Sequence, residues 1–190
     1  MCIQILVREL IKERERIRTR AFIALEFLGI EKLEDSMRDL QTYRWLKTVR
    51  ISQMHLTMKF YDDVTEVYSR KICSYIKEMK YNRFEARFKG VDCFPGRGKC
   101  RVFILTSDSD NIKEIWKDIT NRLGKEREER EMIPHLTLGR VKGITNRQEL
   151  DQILSKKIDI ILWADRISLI RSVLTPDGPK YDEICTTQLM

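Results

Sequence analysis

The chain contains two histidines, and each begins a nearly identical tetrapeptide. His55 opens the sequence His-Leu-Thr-Met, and His135 opens His-Leu-Thr-Leu 80 residues later. At ordinary residue frequencies, the chance that both histidines precede Leu-Thr is on the order of one in ten thousand. A lone histidine in a strand is more often a hydrogen-bonded core residue than a catalyst, but the repetition favours a shared chemical role.

Each tetrapeptide falls in a predicted strand, where side chains two residues apart project from the same face about 6 to 7 Å apart. This alternation puts His55 on one face with Thr57, and His135 on one face with Thr137. The opposite face receives apolar side chains, which are Met54, Leu56 and Met58 in the first strand and Leu136 and Leu138 in the second. We therefore predict a polar face that lines a cleft, backed by an apolar face in the core.

Two imidazoles and two hydroxyls suit in-line displacement at phosphorus. Because the unperturbed pKa of histidine is about 6.5, one ring can take a proton from water while the other protonates the departing oxygen. The hydroxyls of Thr57 and Thr137 can donate hydrogen bonds to the non-bridging phosphate oxygens. A metal site would need further ligands, and neither tetrapeptide contains Asp, Glu or Cys. We expect no metal and no cofactor.

Composition and charge narrow the class of protein. With 42% apolar and 34% charged residues, the chain is typical of a globular protein and not of a disordered or fibrous one. Lys and Arg total 36 against 29 Asp and Glu, which gives a formal net charge of +7. This excess favours a polyanionic partner, nucleic acid first, because clustered cations displace condensed counterions from phosphates.

The cysteines and the apolar segments bear on where the protein acts. The five cysteines include no Cys-x-x-Cys pair, which argues against a structural zinc site, and we expect reduced thiols. No apolar run approaches the ~20 residues that span a bilayer, and the first residues do not resemble a secretory signal. These observations predict a cytoplasmic protein that does not enter a membrane.

Hydrophobic periodicity and turn signals predict seven or eight strands, of which two or three close the chain, and four helices. Strands are expected at 20–27, 49–60, 83–91, 101–106, 133–141, 158–163, 166–174 and 181–186, and helices at 29–43, 64–80, 111–123 and 146–154. The order lacks the strict alternation of a doubly wound fold, so we predict an α+β fold with antiparallel sheets. The strand at 101–106 closes the first half of this pattern, and the second half repeats it loosely.

Several segments resemble a known family. Besides the two His-x-Thr-x patterns, these are Arg20-Ala21-Phe22-Ile23-Ala24, the pair Phe94-Pro95 with the strand that follows it, and the stretch from Ser172 to Tyr181 (SVLTPDGPKY). Over about residues 20–187 the chain resembles the 2H phosphoesterases, and among them the RNA 2′,3′-cyclic phosphodiesterases, also called 2′-5′ RNA ligases.

The resemblance implies a fold and a domain organisation. The family fold consists of two pseudo-symmetric lobes around a central cleft, each with an antiparallel sheet and outer helices, and each lobe supplies one His-x-Thr-x strand. We therefore expect a single bilobal domain over residues 20–190, preceded by an extension at 1–19 that is either helical or disordered. A monomer is expected.

The resemblance also implies an activity and residue roles. His55 would protonate the leaving O3′ of an RNA 2′,3′-cyclic phosphate, and His135 would activate water, so that the product is RNA with a 2′-phosphate. Thr57 and Thr137 would hold the phosphate of RNA ends, tRNA fragments included. By motif offset, Phe60 would contact the nucleoside and Arg140 the phosphate.

Strand alternation disagrees with two of these roles, and the function has alternatives. Strict alternation places Phe60 with Leu56, and Arg140 with Leu138, away from the histidine face, unless the strands bulge or end there.

The same apparatus could also join RNA ends through a 2′-5′ linkage or act on a small cyclic nucleotide. A basic RNA-binding module without catalysis is the alternative from another class.

Overall fold

The computed structural model describes residues 18–124, 132–143, 146–176 and 178–190. Within these ranges the strands are β1 (Arg18–Leu28), β2 (Leu46–Thr48), β3 (Leu56–Thr65), β4 (Phe84–Phe94), β5 (Val102–Ser107), β6 (His135–Val141), β7 (Asp159–Thr175) and β8 (Gly178–Gln188). The α-helices are α1 (Glu34–Leu40), α2 (Glu66–Glu78), α3 (Asp110–Leu123) and α4 (Arg147–Leu154), and short 3-10 helices lie at Ile30–Leu33, Ile51–Gln53 and Arg97–Lys99.

All eight strands join one antiparallel sheet in the order β2-β6-β5-β4-β7-β1-β3, with β8 pairing to β7. Strand β7 is 17 residues long and belongs to both halves of this sheet. Its first part, Asp159 to Ala164, pairs with β4, and its later part, Arg166 to Thr175, pairs with β8. The predicted α+β class with antiparallel pairing is therefore confirmed, and β7 makes the two halves continuous.

The chain repeats one unit, strand, helix, motif strand, helix and strand, first as β1-α1-β3-α2-β4 and then as β5-α3-β6-α4-β7. The third strand of each unit pairs with the first strand of the other, β4 with β5 and β7 with β1. The expected division of the chain, with the strand at 101–106 closing the first half, is therefore wrong. Strand β5 opens the second unit. This division follows from the pairing of strands between the two units, and local periodicity along the chain does not reveal that pairing.

The helices cover one face of the sheet. Helix α3 buries Ile112, Ile115 and Ile119, which recur at helical spacing on its inner side. Strand β1 sends Ile23 into this main core and, by alternation, Phe22 to the opposite face, where a small separate cluster forms. The face opposite the helices therefore remains for the cleft.

Several elements differ from the sequence-based expectation. The helix predicted at 29–43 is a 3-10 helix at Ile30–Leu33 followed by α1, and the short strand β2 was not predicted. The strand predicted at 49–60 begins at Leu56, because a 3-10 turn at Ile51–Gln53 precedes it. The two strands predicted at 158–163 and 166–174 form the single strand β7. The predicted extension at 1–19 lies almost entirely outside the described residues, so the domain division stays a prediction. Among the described helices, none has the length and apolar composition needed to cross a bilayer.

A disulfide joins Cys73 of α2 to Cys185 of β8. The expectation of reduced thiols is therefore wrong for these two cysteines, whereas Cys93 and Cys100 are free thiols. The pairing bridges 112 residues and unites a helix with a strand from the far end of the chain, so spacing alone could not show it. It secures α2, which directly follows the first motif strand, to the last strand of the sheet.

We expect reduction of this disulfide to destabilise the fold, because the cross-link restricts the unfolded chain over a long loop. Loss of the bond should lower the free energy of unfolding by about 2 to 4 kcal/mol and the Tm by roughly 5 to 15 °C. Thermal unfolding of the protein with and without dithiothreitol measures this. The Cys73→Ser/Cys185→Ser variant is the control, since reductant should not change its Tm further. An unchanged Tm on complete reduction of the native chain would contradict the prediction.

Candidate active site

The two histidine rings are held in the same way. His55 Nδ1 lies 2.8 Å from the carbonyl oxygen of Gln53, and His135 Nδ1 lies 2.7 Å from that of Ile133. A carbonyl oxygen only accepts, so each Nδ1 must carry a proton and donate it. In the neutral ring Nε2 is then unprotonated and able to accept a proton, and in the cation it can donate one. The backbone two residues earlier therefore selects the tautomer of both rings.

The first motif strand carries one residue more than its partner strand. Ala24 of β1 pairs with Thr57 and Phe22 pairs with Phe60, so two steps along β1 match three along β3. Met58 is the additional residue of this β-bulge. Because β1 alternates regularly, its partners Thr57 and Phe60 project from the same face. The bulge removes the objection that strict alternation raised against Phe60.

The second motif strand has a bulge at the equivalent position. Ile104 of β5 pairs with Thr137 and Val102 pairs with Arg140, which leaves Leu138 as the additional residue of β6. Thr137 and Arg140 therefore share a face, again contrary to strict alternation. In both motifs the threonine two residues after the histidine and the side chain five residues after it point to the same side of the sheet. His135 is the first residue of β6, whereas His55 directly precedes β3.

Glycine is required between Leu138 and Arg140. A Cβ at Gly139 would lie 2.9 Å from Leu46 Cδ1 and 3.0 Å from the carbonyl oxygen of Lys47, closer than such atoms normally approach. Because glycine has no Cβ, β2 can pair with β6 beside the bulge. Lys47 then lies directly opposite Arg140. The short strand β2 thus supports the backbone that carries Arg140.

The two motifs meet in one cleft. Strand β3 is the last in the strand order and β6 is next to the first, but the two strands contact each other. Burial is the main cause of a lowered pKa at His55, and the nearby charges of Arg140 and His135 lower it further. Arg140 acts on Tyr181 as well, where it opposes the rise in pKa that burial causes. The structure therefore brings together the two predicted histidines and the predicted arginine.

Both imidazoles have depressed pKa values. At His55, burial outweighs two opposing effects, the hydrogen bond to the Gln53 carbonyl and the negative charge of Glu26. At His135, burial likewise lowers the pKa against the hydrogen bond to Ile133. Burial disfavours the charged ring because the protein solvates an imidazolium less well than water does. Burial therefore favours the neutral form of both rings in the free protein.

Aromatic rings surround the two histidines. Phe22 stacks on His55 with ring centroids 4.6 Å apart, and Tyr181 meets the same ring edge-on at 5.5 Å. Phe94 meets His135 edge-on at 5.1 Å. These three aromatic residues were absent from the predicted site, although each lies in one of the segments that carry the family resemblance. They bury the imidazoles and so contribute to the low pKa values.

A polar network beside His55 is a further feature that sequence reasoning missed. The Glu26 carboxylate accepts hydrogen bonds from Ser168 Oγ at 2.6 Å and from Arg166 Nη2 at 2.8 Å. Ser168 is also within 2.8 Å of the Thr186 hydroxyl. Because Arg166 and Ser168 orient Glu26, its charge is fixed near His55. Its position within an otherwise apolar strand is the signal that could have identified it.

The remaining predicted site groups are open to a ligand. Within the described ranges, no hydrogen bond engages the hydroxyl of Thr57 or Thr137, and no ion pair engages Arg140. Phe60 is 38% exposed, and the guanidinium of Arg20 lies over its ring at 5.2 Å. No group of three His, Cys, Asp or Glu side chains in the described part of the chain is arranged to hold a metal ion.

Comparisons with known proteins agree on the family. The model of the 2′-5′ RNA ligase superfamily matches residues 31–175. The RNA 2′,3′-cyclic phosphodiesterase of Methanocaldococcus jannaschii is 30% identical over 87% of this chain and 98% of its own length. The protein of the same name from Methanothermobacter thermautotrophicus is 30% identical over 88% of this chain and 97% of its own.

Solved structures show the same fold. The protein TT0787 of Thermus thermophilus superposes with a TM-score of 0.77 at 23% identity, covering 90% of this chain and 97% of that one. Escherichia coli LigT in complex with 3′-AMP superposes with a TM-score of 0.69 at 16% identity, covering 92% of this chain and 99% of its own.

We expect both histidines to titrate below their usual pKa of about 6.5, because burial penalises the protonated ring. Heteronuclear NMR of the imidazole nitrogens, recorded from pH 4.5 to 8, measures both midpoints and both tautomers. At pH 7 each ring should be neutral with the proton on Nδ1. A midpoint above 6.5 in the free protein, or a proton on Nε2 of the neutral ring, would contradict this description of the site.

Proposed function

The chain belongs to the 2′-5′ RNA ligase superfamily, and from this we propose that it hydrolyses 2′,3′-cyclic phosphate ends of RNA to 2′-phosphomonoesters. The observation that carries the proposal is the matched pair of histidines. Each ring is oriented by the same backbone hydrogen bond at Nδ1, which leaves Nε2 of both rings for the proton transfers. In-line attack at phosphorus needs one proton acceptor and one proton donor on opposite sides of the phosphate, and two such rings can supply them.

The two histidines divide the proton transfers. Nε2 of neutral His135 takes a proton from water while the water oxygen bonds to phosphorus. The bond between phosphorus and O3′ breaks, and protonated His55 gives its Nε2 proton to O3′. The ring of His135 ends protonated and that of His55 neutral, so exchange with solvent restores the starting states. The product carries a free 3′-hydroxyl and a 2′-phosphate.

The other cleft residues stabilise charge and position the terminal nucleotide. The hydroxyls of Thr57 and Thr137 donate to the non-bridging phosphate oxygens, which gain negative charge as water adds. Arg140 adds a positive charge on the same face as Thr137. Phe60, on the face of Thr57, offers a partly exposed ring on which the nucleoside packs.

Substrate binding provides the protonated acid. In the free protein, burial favours the neutral form of His55, which is the wrong state for a proton donor. A bound phosphodiester places a negative charge beside the ring and raises its pKa, as any nearby opposite charge does. The fixed charge of Glu26 acts in the same direction. Burial therefore favours the neutral ring that the base needs, and the negative charge of the substrate favours the protonated ring that the acid needs.

The proposal extends to the setting of the reaction. The histidines perform both proton transfers, so a metal ion has no required part. We propose that the protein acts as a monomer in the cytoplasm on RNA ends such as those of tRNA fragments. Disulfides are rare in cytosolic proteins, so the bond between Cys73 and Cys185 gives this location no support.

Related activities need no change to the site. Reversal of the hydrolytic chemistry, with an RNA 5′-hydroxyl in place of water, would join two ends through a 2′-5′ linkage. A small cyclic nucleotide could bind in the same cleft. A module that only binds RNA would need neither the matched tautomers nor two titratable rings on one phosphate, so the geometry favours catalysis.

Product analysis tests the proposal. Incubation with an RNA oligonucleotide ending in a 2′,3′-cyclic phosphate, in EDTA, should yield the 2′-phosphate end. His55→Asn and His135→Asn are matched variants, because the amide can retain a hydrogen bond to the backbone carbonyl but cannot transfer a proton. Each should lower kcat by about two to four orders of magnitude. A 3′-phosphate product, a strict metal requirement, or a loss below tenfold for either variant would refute the assignment.

A further inference from the structure

A group of cations lies at one end of the sheet without acidic partners. Arg97, Lys99 and Arg101 belong to the loop between β4 and β5, and Lys142 follows β6. All four side chains are exposed. Within the residues that the structure describes, none of the four forms an ion pair with an acidic side chain. We call these four residues the basic end.

Many arginines elsewhere in the sheet form ion pairs with acidic side chains. Within the described residues Arg140 has no ion pair, but six arginines of the other strands and their flanks are paired: Arg18 with Asp63, Arg20 with Asp62, Arg83 with Asp165, Arg87 with Asp159, Arg166 with Glu26 and Arg171 with Asp182. Unpaired like charges repel one another, and a cluster of them costs stability unless an anion neutralises it. The basic end therefore contributes four cations that no acidic side chain neutralises within the described part of the chain.

The basic end borders the proposed active site. The loop starts at Phe94, whose ring lies 5.1 Å from that of His135, and three residues further the chain reaches Arg97, at most about 11 Å away along the backbone. On the other side of the loop, the carbonyl of Arg101 accepts a hydrogen bond from Val141 at 2.8 Å. Arg101 and Lys142 thus stand beside the end of β6 that carries Arg140.

A cavity of about 270 Å³ lies next to this loop. Arg97, Lys99 and Arg147 line it together with Gly98, Cys100 and Leu150, and none of these described lining residues is acidic. Arg147 contacts Asp151 at 3.4 Å, whereas the two loop cations have no such partner. The cavity is large enough for a phosphate group, and three of its six described lining residues are cationic.

We propose that the basic end binds the phosphodiester backbone of the RNA upstream of the cyclic end, on the 5′ side of the terminal nucleotide. This inference rests on the proposed function, since it extends the same site along the substrate. Upstream phosphates replace the missing acidic partners, and the release of their counterions provides affinity that does not depend on sequence. The enzyme therefore prefers oligonucleotide ends to nucleoside 2′,3′-cyclic phosphates, which cannot reach the loop.

Two variants test the inference. Arg97→Gln/Lys99→Gln removes two charges from the basic end, and Lys77→Gln/Lys80→Gln removes two exposed charges at the end of α2, in the helical layer opposite the cleft. Binding of a single-stranded RNA decamer with a 2′-phosphate end is followed by fluorescence anisotropy from 50 to 300 mM KCl. The ratio of kcat/KM on a cyclic-phosphate oligonucleotide to that on a nucleoside cyclic phosphate is the second readout.

We expect the loop variant to weaken RNA binding on the order of tenfold at 100 mM salt and to reduce the slope of log Kd against log salt by about 1 to 1.4. The kcat/KM ratio should fall by a similar factor, and the α2 variant should match the native protein in both. Equal binding and an equal salt slope in the loop variant, or an equal loss in both variants, would overturn the inference.

Binding keeps the inference separate from the proposed function. If the native protein hydrolyses neither substrate, the proposed function fails, and the anisotropy comparison still decides whether the basic end holds RNA. If hydrolysis proceeds but the loop variant binds RNA as the native protein does, the inference alone fails. Thermal unfolding of both variants shows whether either loses its fold.

Discussion

The site depends on one additional residue in each motif strand. Met58 and Leu138 have no partner of their own in the neighbouring strand, so the alternation of side chains shifts by one position after each threonine. Without that shift, Phe60 and Arg140 would point into the core, where an arginine would be buried without a counter-charge. With it, the threonine and the side chain three residues later share one face in each strand, while the apolar residues keep their places in the core.

A second constraint is the opposition between burial and charge. Phe22, Tyr181 and Phe94 exclude water from the imidazoles, which lowers their pKa values and favours the neutral base. In the proposed mechanism the acid, His55, needs the protonated state, and a bound anionic phosphate would favour it. Glu26 reduces the cost of that protonation, and Arg166 and Ser168 hold the carboxylate in place. In the proposed mechanism, two rings whose pKa values are both lowered would take different proton states when the substrate binds.

Much of this could be predicted from the sequence, where the chemistry follows from local pattern. The repeated His-Leu-Thr identified the two motifs, and alternation correctly assigned Leu56 and Leu136 to the core. Alternation failed at Phe60 and Arg140, because a bulge depends on the register with the neighbouring strand and not on the strand's own residues. The pairing of β4 with β5 and of β7 with β1, each across the two units, could not be predicted either, because it depends on the tertiary fold. The same holds for the bond between Cys73 and Cys185. Glu26 went unnoticed because its partners lie about 140 residues away.

The central claim is that His55 and His135 perform opposite proton transfers on one phosphate. The most direct test replaces the leaving O3′ with sulfur in a 2′,3′-cyclic phosphate substrate. A thiolate needs no proton to depart, because the pKa of a thiol, about 8.5, lies far below that of an alcohol. The account predicts that His55→Ala recovers to within about tenfold of the native rate on this substrate, since general acid catalysis of about 10²- to 10⁴-fold is no longer needed, while His135→Ala stays impaired. Equal impairment of both variants, or recovery of His135→Ala alone, would contradict it.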